Sequence, residues 1–92
     1  MSSVRLTGQL VCGTAEQRRA VEENLPLHTR LTRAEPGCVS FEVTQTHDPL
    51  VWQVDELFSD AESFAAHQRR VADSAWGRAT AGIERHYEVE GA

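Results

Sequence analysis

The stretch VWQVDELFSDAESFAAHQRRVADSAW, residues 51–76, decides how this chain is read. Its first part alternates. Trp52, Val54, Glu56 and Phe58 fall on one side, and Val51, Gln53, Asp55 and Leu57 on the other, which is the period of a strand. After Ser59 the period changes. Phe64, His67 and Val71 recur at i, i+3 and i+7, the spacing of one helix face. Ser59 with Glu62 has the S-x-x-E form of a capping box and predicts the helix start. Each element turns one ionisable group inward: the strand a carboxylate, Glu56, and the helix an imidazole, His67.

Reading outward, residues 4–12 place Val4, Leu6, Gly8 and Leu10 on one face of a first strand. Thr14 and Gln17 predict the start of a first helix as a T-x-x-Q capping box. Val21, Leu25 and His28 carry that helix's apolar stripe, with Leu31 close by. Pro26 interrupts it, and the missing donor predicts a kink or a restart. The tetrapeptide EPGC, residues 35–38, is turn chemistry. Strand two follows, with Val39, Phe41 and Val43 on one face. HDP, residues 47–49, is a hairpin-length loop into strand three, residues 50–58. Beyond the second helix, DSAWGRATAG is a looser helical segment. The last strand places Ile83, Arg85, Tyr87 and Val89 on one face.

The order βαββαβ predicts an α+β, ferredoxin-like domain over residues 1–92, a four-stranded antiparallel sheet with both helices on one face. Its other face must meet water or a partner. Net charge is −5 and all nine cations are Arg, with no basic block, which argues against nucleic acid. No apolar run approaches the roughly 20 residues of a membrane span. The start, MSSVRLTGQL, lacks the apolar core of a signal peptide, so the expected location is the cytoplasm. Cys12 and Cys38 are expected as small core residues, because no C-x-x-C or His/Cys spacing suggests zinc.

A carboxylate among large apolar residues needs a cation, a donor or water, or its pKa rises until it is neutral. His67 and Arg85 are the candidate partners of Glu56. Three readings stay open: the groups satisfy one another structurally, they form a polar cluster in an apolar cavity that moves protons or orients a substrate, or Glu56 lies exposed at the surface. His28 is a core group or a site group. Trp52 and Trp76 are core or cavity wall. His47 is expected in solvent, His86 at solvent or an interface, and Arg69 with Arg70 on a solvated helix face.

The ordered set RAEPGCVSFEV, DP, WQVDELFSDAESFAAHQ, SAW and IERHYEV resembles the antibiotic biosynthesis monooxygenase domain family, to which quinol monooxygenases belong. The resemblance implies a homodimeric α/β barrel with two sheets face to face, and a cavity between sheet and helices in each subunit. It implies oxygenation of a small aromatic, quinol or polyketide-like substrate by O₂ without metal, flavin, haem or other cofactor. By position, Glu56 and His67 match the family's recurrent strand Glu and helix His, and Trp76 a common aromatic after that helix. On that match His67 is expected as proton acceptor or donor, Glu56 as its orienter and Arg85 as an oxyanion stabiliser. Trp52, Phe64 and Trp76 become cavity wall, and His28 and Tyr87 substrate contacts. Two departures stand out. The only Asn is Asn24, on the first helix, whereas polyketide-type members are described with an Asn in the site. No His lies in VADSAWGRATAG, where haem-degrading members place an axial ligand. The alternatives are a cofactor-free isomerase, which the family also contains, and a non-catalytic binding protein for an aromatic metabolite.

Overall fold

A computed structural model describes residues 2–91. The chain runs β1 (Val4–Val11), α1 (Ala15–Arg33), β2 (Cys38–Gln45), β3 (Val51–Phe58), α2 (Ala61–Ala72), α3 (Ala75–Ala79) and β4 (Glu84–Glu90). The strands form one antiparallel sheet in the order β2-β3-β1-β4, the ferredoxin-like arrangement. Alternation in β3 survives intact: Trp52, Val54, Glu56 and Phe58 are all buried. Register then aligns Leu6 with Glu56 and Val89, and Gly8 with Val54 and Tyr87. The core joins Leu6, Leu10, Val54 and Trp52 of the sheet to Val21 of α1 and Trp76 of α3.

Gly8 carries a conformational requirement. Its φ is +156°, and a methyl group there would lie 2.0 Å from the His86 carbonyl oxygen and 2.8 Å from the Tyr87 ring. Only glycine lets β4 and the Tyr87 ring close over β1 at this point.

Four local expectations need correction. α1 passes through Pro26 without a restart. The ring forfeits one backbone bond, but the residues on both sides keep the helix together, with Val21, His28 and Thr32 buried along it. Leu31, expected beside the stripe, is exposed, and Thr32 takes the inward position. α2 starts one residue later than the Ser59–Glu62 pattern implies: Asp60 is the cap, and its carboxylate accepts from the Ser63 N–H at 2.7 Å. An ionised acceptor facing the positive end of a helix outcompetes a hydroxyl. In β2 a bulge between Cys38 and Ser40 leaves Val39 61% exposed instead of beside Phe41, and returns Cys38 to the Phe58 side. Cys12 and Cys38 are both free.

Candidate active site

Glu56 arrives at the core because strand parity puts it there, between Val54 and Phe58 on the helix-covered face. It is 7% exposed, and its Oε1 has no hydrogen-bond partner. Burial, helped by the nearby Glu35 charge, pushes its pKa up to about 7. His67 descends from α2 onto the same spot and is 2% exposed. Its Nε2 stands 3.6 Å from Glu56 Oε1, close enough for charge to matter but too long for a hydrogen bond.

The other ring nitrogen has the closer partner. His67 Nδ1 lies 2.8 Å from Oε1 of Glu35, in the EPGC turn. Glu35 Oε2 accepts from Arg70 Nε at 2.7 Å, and Arg70 also donates to Thr32 Oγ1 at 3.0 Å. A carboxylate paired with a guanidinium can only accept, so Nδ1 carries the proton and Nε2 presents its lone pair. Burial lowers the His67 pKa, and the Glu35 bond only partly offsets this. The resting ring is therefore a neutral base aimed at Glu56, held from behind by an Arg70–Glu35 pair. Arg70 is thus not on a solvated helix face, as the sequence suggested. Its stem crosses the α1–α2 junction and its head is committed to Glu35 and Thr32.

A cavity of about 300 Å³ opens beside these groups. Leu6, Glu56 and Tyr87 supply its sheet side, and His67, Val71 and Trp76 its helix side. His28 stacks flat on Trp76, with ring centroids 4.4 Å apart and planes 1° apart. Phe41 meets the His28 ring edge-on at 5.2 Å. Burial holds the His28 pKa at about 3, and its Nδ1 has no partner. His28 is therefore a neutral, polar-edged extension of the Trp76 wall. Tyr87, with its pKa pushed up to about 12 by burial, lines the opposite wall as a neutral phenol.

Arg85 reaches the cavity but not Glu56 as a partner. It donates to the Thr80 and Ile83 carbonyls at 2.7 and 2.9 Å and to Thr80 Oγ1 at 2.7 Å, locking the end of α3 to β4. The structure thus brings together Glu56, His67, His28, Trp76, Tyr87 and Arg85. Trp52 lies instead in the core beneath β1, and Phe64 packs edge-on against Phe58 at 5.7 Å. Neither lines this cavity. His47 is exposed in its turn, and exposed His86 pairs with Glu84. Sequence reasoning missed Glu35, Thr32 and Arg70. The one available signal was that EPGC places a carboxylate immediately before a rigid turn leading into β2. Among the described residues, no group of three or more His, Cys, Asp or Glu is placed to hold a metal ion. Among the same residues, no helix is long and apolar enough to cross a membrane.

A ferredoxin-like sheet with a carboxylate–imidazole cluster in a cavity beneath its helices defines a class of small α+β proteins. Within that class the chain belongs to the antibiotic biosynthesis monooxygenase family, whose model matches residues 12–78. Solved structures agree on the fold. A candidate antibiotic biosynthesis monooxygenase from Nitrosomonas europaea superposes with a TM-score of 0.78 at 19% identity, covering 97% of this chain and 89% of its own. SnoaB, a cofactor-independent oxygenase from Streptomyces nogalater, gives 0.81 at 12% identity, covering 100% and 94%. Rv0793 from Mycobacterium tuberculosis gives 0.76 at 18%, covering 96% and 92%. No curated protein matches the chain in sequence.

Proposed function

We propose that this protein is a cofactor-independent monooxygenase of a small electron-rich phenol or quinol. The observation that carries the reading is a pair of atoms facing each other at 3.6 Å, on two residues that line the cavity: the His67 Nε2 lone pair, and Glu56 Oε1 without a partner. A buried acceptor left unpaired costs about 1–3 kcal/mol, a cost a substrate donor would relieve. Nε2 takes the phenolic proton, and the imidazolium is stabilised by Glu35 behind it. The phenolate passes one electron to O₂, and the radical pair closes a carbon–oxygen bond. Loss of water from the resulting hydroperoxide leaves the carbonyl, so a quinol and O₂ give a hydroxyquinone and water. Glu56, with its pKa near neutrality, returns a proton to the departing oxygen. The flat His28–Trp76 wall favours a planar ring, and the neutral Tyr87 phenol offers it a hydroxyl from the opposite wall.

The test is oxygen uptake by the metal-free protein with hydroquinones, naphthols and anthrones, beside His67→Ala. The expected result is uptake above autoxidation that falls at least a hundredfold in the variant. Uptake equal in both proteins overturns the reading. A second reading, proton-transfer isomerisation, draws on the same Glu35–His67–Glu56 geometry, which needs no O₂ to work. A product isomer formed under nitrogen would select it. A purely binding role is disfavoured by the same open atoms, since a passive cavity gains nothing from an unpaired carboxylate. The same proposal pairs two copies through the sheet face that the helices leave bare. Val11, Val51 and Leu57 are only half-buried there.

A further inference from the structure

His67 has a second neighbourhood. On its Nδ1 side an outer cleft of about 410 Å³ lies between the EPGC turn and the start of α2. Glu35, Gly37, Asp60, Ser63 and Ala66 line it, with His67 at its floor. His67 is the one residue common to this cleft and to the inner cavity. At 2% exposure it forms the wall between them rather than a passage. Glu35 stands on the outer side with its side chain 19% exposed, and Glu56 on the inner side with 9%.

We propose that Glu56, His67 and Glu35 form a proton relay through this wall, so that the filled cavity exchanges protons with bulk water by way of the outer cleft. A proton from Glu56, or from a substrate hydroxyl, forms a bond to Nε2 as the Nδ1–H bond breaks toward Glu35 Oε1. The ring's double bonds shift, its net charge is unchanged and no electrons leave. Glu35 passes the proton to water in the cleft. The reverse transfer draws a proton from the cleft and returns one from Nε2 to the cavity, so a full cycle restores the starting tautomer and exchanges protons with no net export. The Nδ1–Oε1 distance of 2.8 Å is already a hydrogen bond, and the 3.6 Å gap at Nε2 closes by a small side-chain shift or through a substrate hydroxyl. Arg70 Nε donates to the other Glu35 oxygen, Oε2, at 2.7 Å, which leaves Oε1 to Nδ1. The need for a relay rests on the oxygenase reading: in a closed space the phenolic proton must leave before O₂ reacts, and a proton must come back for the departing oxygen.

The experiment reads solvent exchange of the His67 ring protons by NMR on protein labelled with ¹⁵N-histidine. Glu35→Gln retains an oxygen to accept from Nδ1–H but cannot take its proton. The expected result is exchange slowed at least tenfold in both Glu35→Gln and Glu56→Gln, and restored in Glu35→Asp. Restoration by Asp separates proton transfer from simple positioning. Exchange that is unaffected by Glu35→Gln, or unaffected by Glu56→Gln, overturns the relay. Should Glu35→Gln fail to fold, Thr32→Val loosens Arg70 while leaving the carboxylate in place. The relay then requires exchange no slower than wild type, and slower exchange counts against it. No substrate or O₂ is involved, so the relay can fail in an active oxygenase or hold in a protein that consumes no oxygen.

Discussion

Glu56 and His28 pull the stability of this fold in opposite directions as pH changes. A carboxyl whose pKa is higher in the folded chain stabilises the fold while it is protonated. For Glu56 that contribution is complete below 4.5, the ordinary value, and disappears as pH rises through about 7. It amounts to roughly 3 kcal/mol. His28 is a base held neutral, with its pKa lowered from 6.5 to about 3. Its contribution is present above 6.5 and is lost as pH falls toward 3. Between 4.5 and 6.5 the two slopes partly cancel. Glu56→Gln removes the falling slope, so urea denaturation of that variant should show stability rising more steeply with pH across this window than in wild type. A parallel dependence in the two proteins would mean that Glu56 is not desolvated. Glu56 itself was legible in the sequence because strand parity is rigid: one carboxylate in a line of Trp, Val and Phe has nowhere else to point. Glu35 was not legible. It sits in a turn with no period to read, and its partner His67 is 32 residues away. Arg70 was hidden for another reason: its position on α2 is polar by pattern, and only the length of the side chain carries its head to Glu35.

At the scale of elements, two substitutions separate local preference from packing. α1 spends one backbone hydrogen bond on Pro26, which is exposed and holds no side-chain partner. Pro26→Ala restores the donor and should stabilise the protein by about 1–3 kcal/mol in urea melts. Loss of stability there would mean that the ring's shape is needed by α1. Gly37 does the opposite work. A methyl on it would lie 2.1 Å from Ser63 Oγ and 2.2 Å from Ser63 Cβ, so the EPGC turn and the start of α2 touch at this glycine. Gly37→Ala should cost about 1–3 kcal/mol and shift Glu35 away from His67. Adding Ser63→Gly should recover part of the stability and return the His67 ring nitrogens to their wild-type NMR shifts. The sequence identified the turn residues but not this contact, because a glycine chosen for φ and one chosen for closeness look alike in a string of letters. The cap at Asp60 and the bulge at Val39 escaped for related reasons. Ser59 and Asp60 are both good caps, and a bulge leaves no mark on an alternating pattern except a shifted phase.

At the scale of the molecule, one face of the sheet carries all the helices and the cavity, while the other carries none. That division was readable from the order of elements alone, because two crossover helices of the same hand must fall on the same side. On the pairing proposed above, Leu57→Glu places a charge in the middle of the bare face. Sedimentation at micromolar concentration should then move from dimer toward monomer, with the pH dependence of Glu56 retained. A wild-type monomer at that concentration would remove the pairing from the proposal.

The chain's composition has a chemical consequence for any protein that makes quinones. Such products are electrophiles that arylate amines and thiolates. This sequence contains no lysine, so it offers no side-chain amine. Its thiols are withdrawn as well: Cys12 is 3% exposed, Cys38 is half-buried, and burial raises the pKa of both, keeping them as poorly nucleophilic thiols. The cysteines of the folded protein should therefore react slowly with 1,4-benzoquinone. Peptide mapping should find neither cysteine modified over an exposure in which both are modified in the urea-unfolded chain. Resistance to self-inactivation would then be a property of the fold, lost on unfolding along with the cavity.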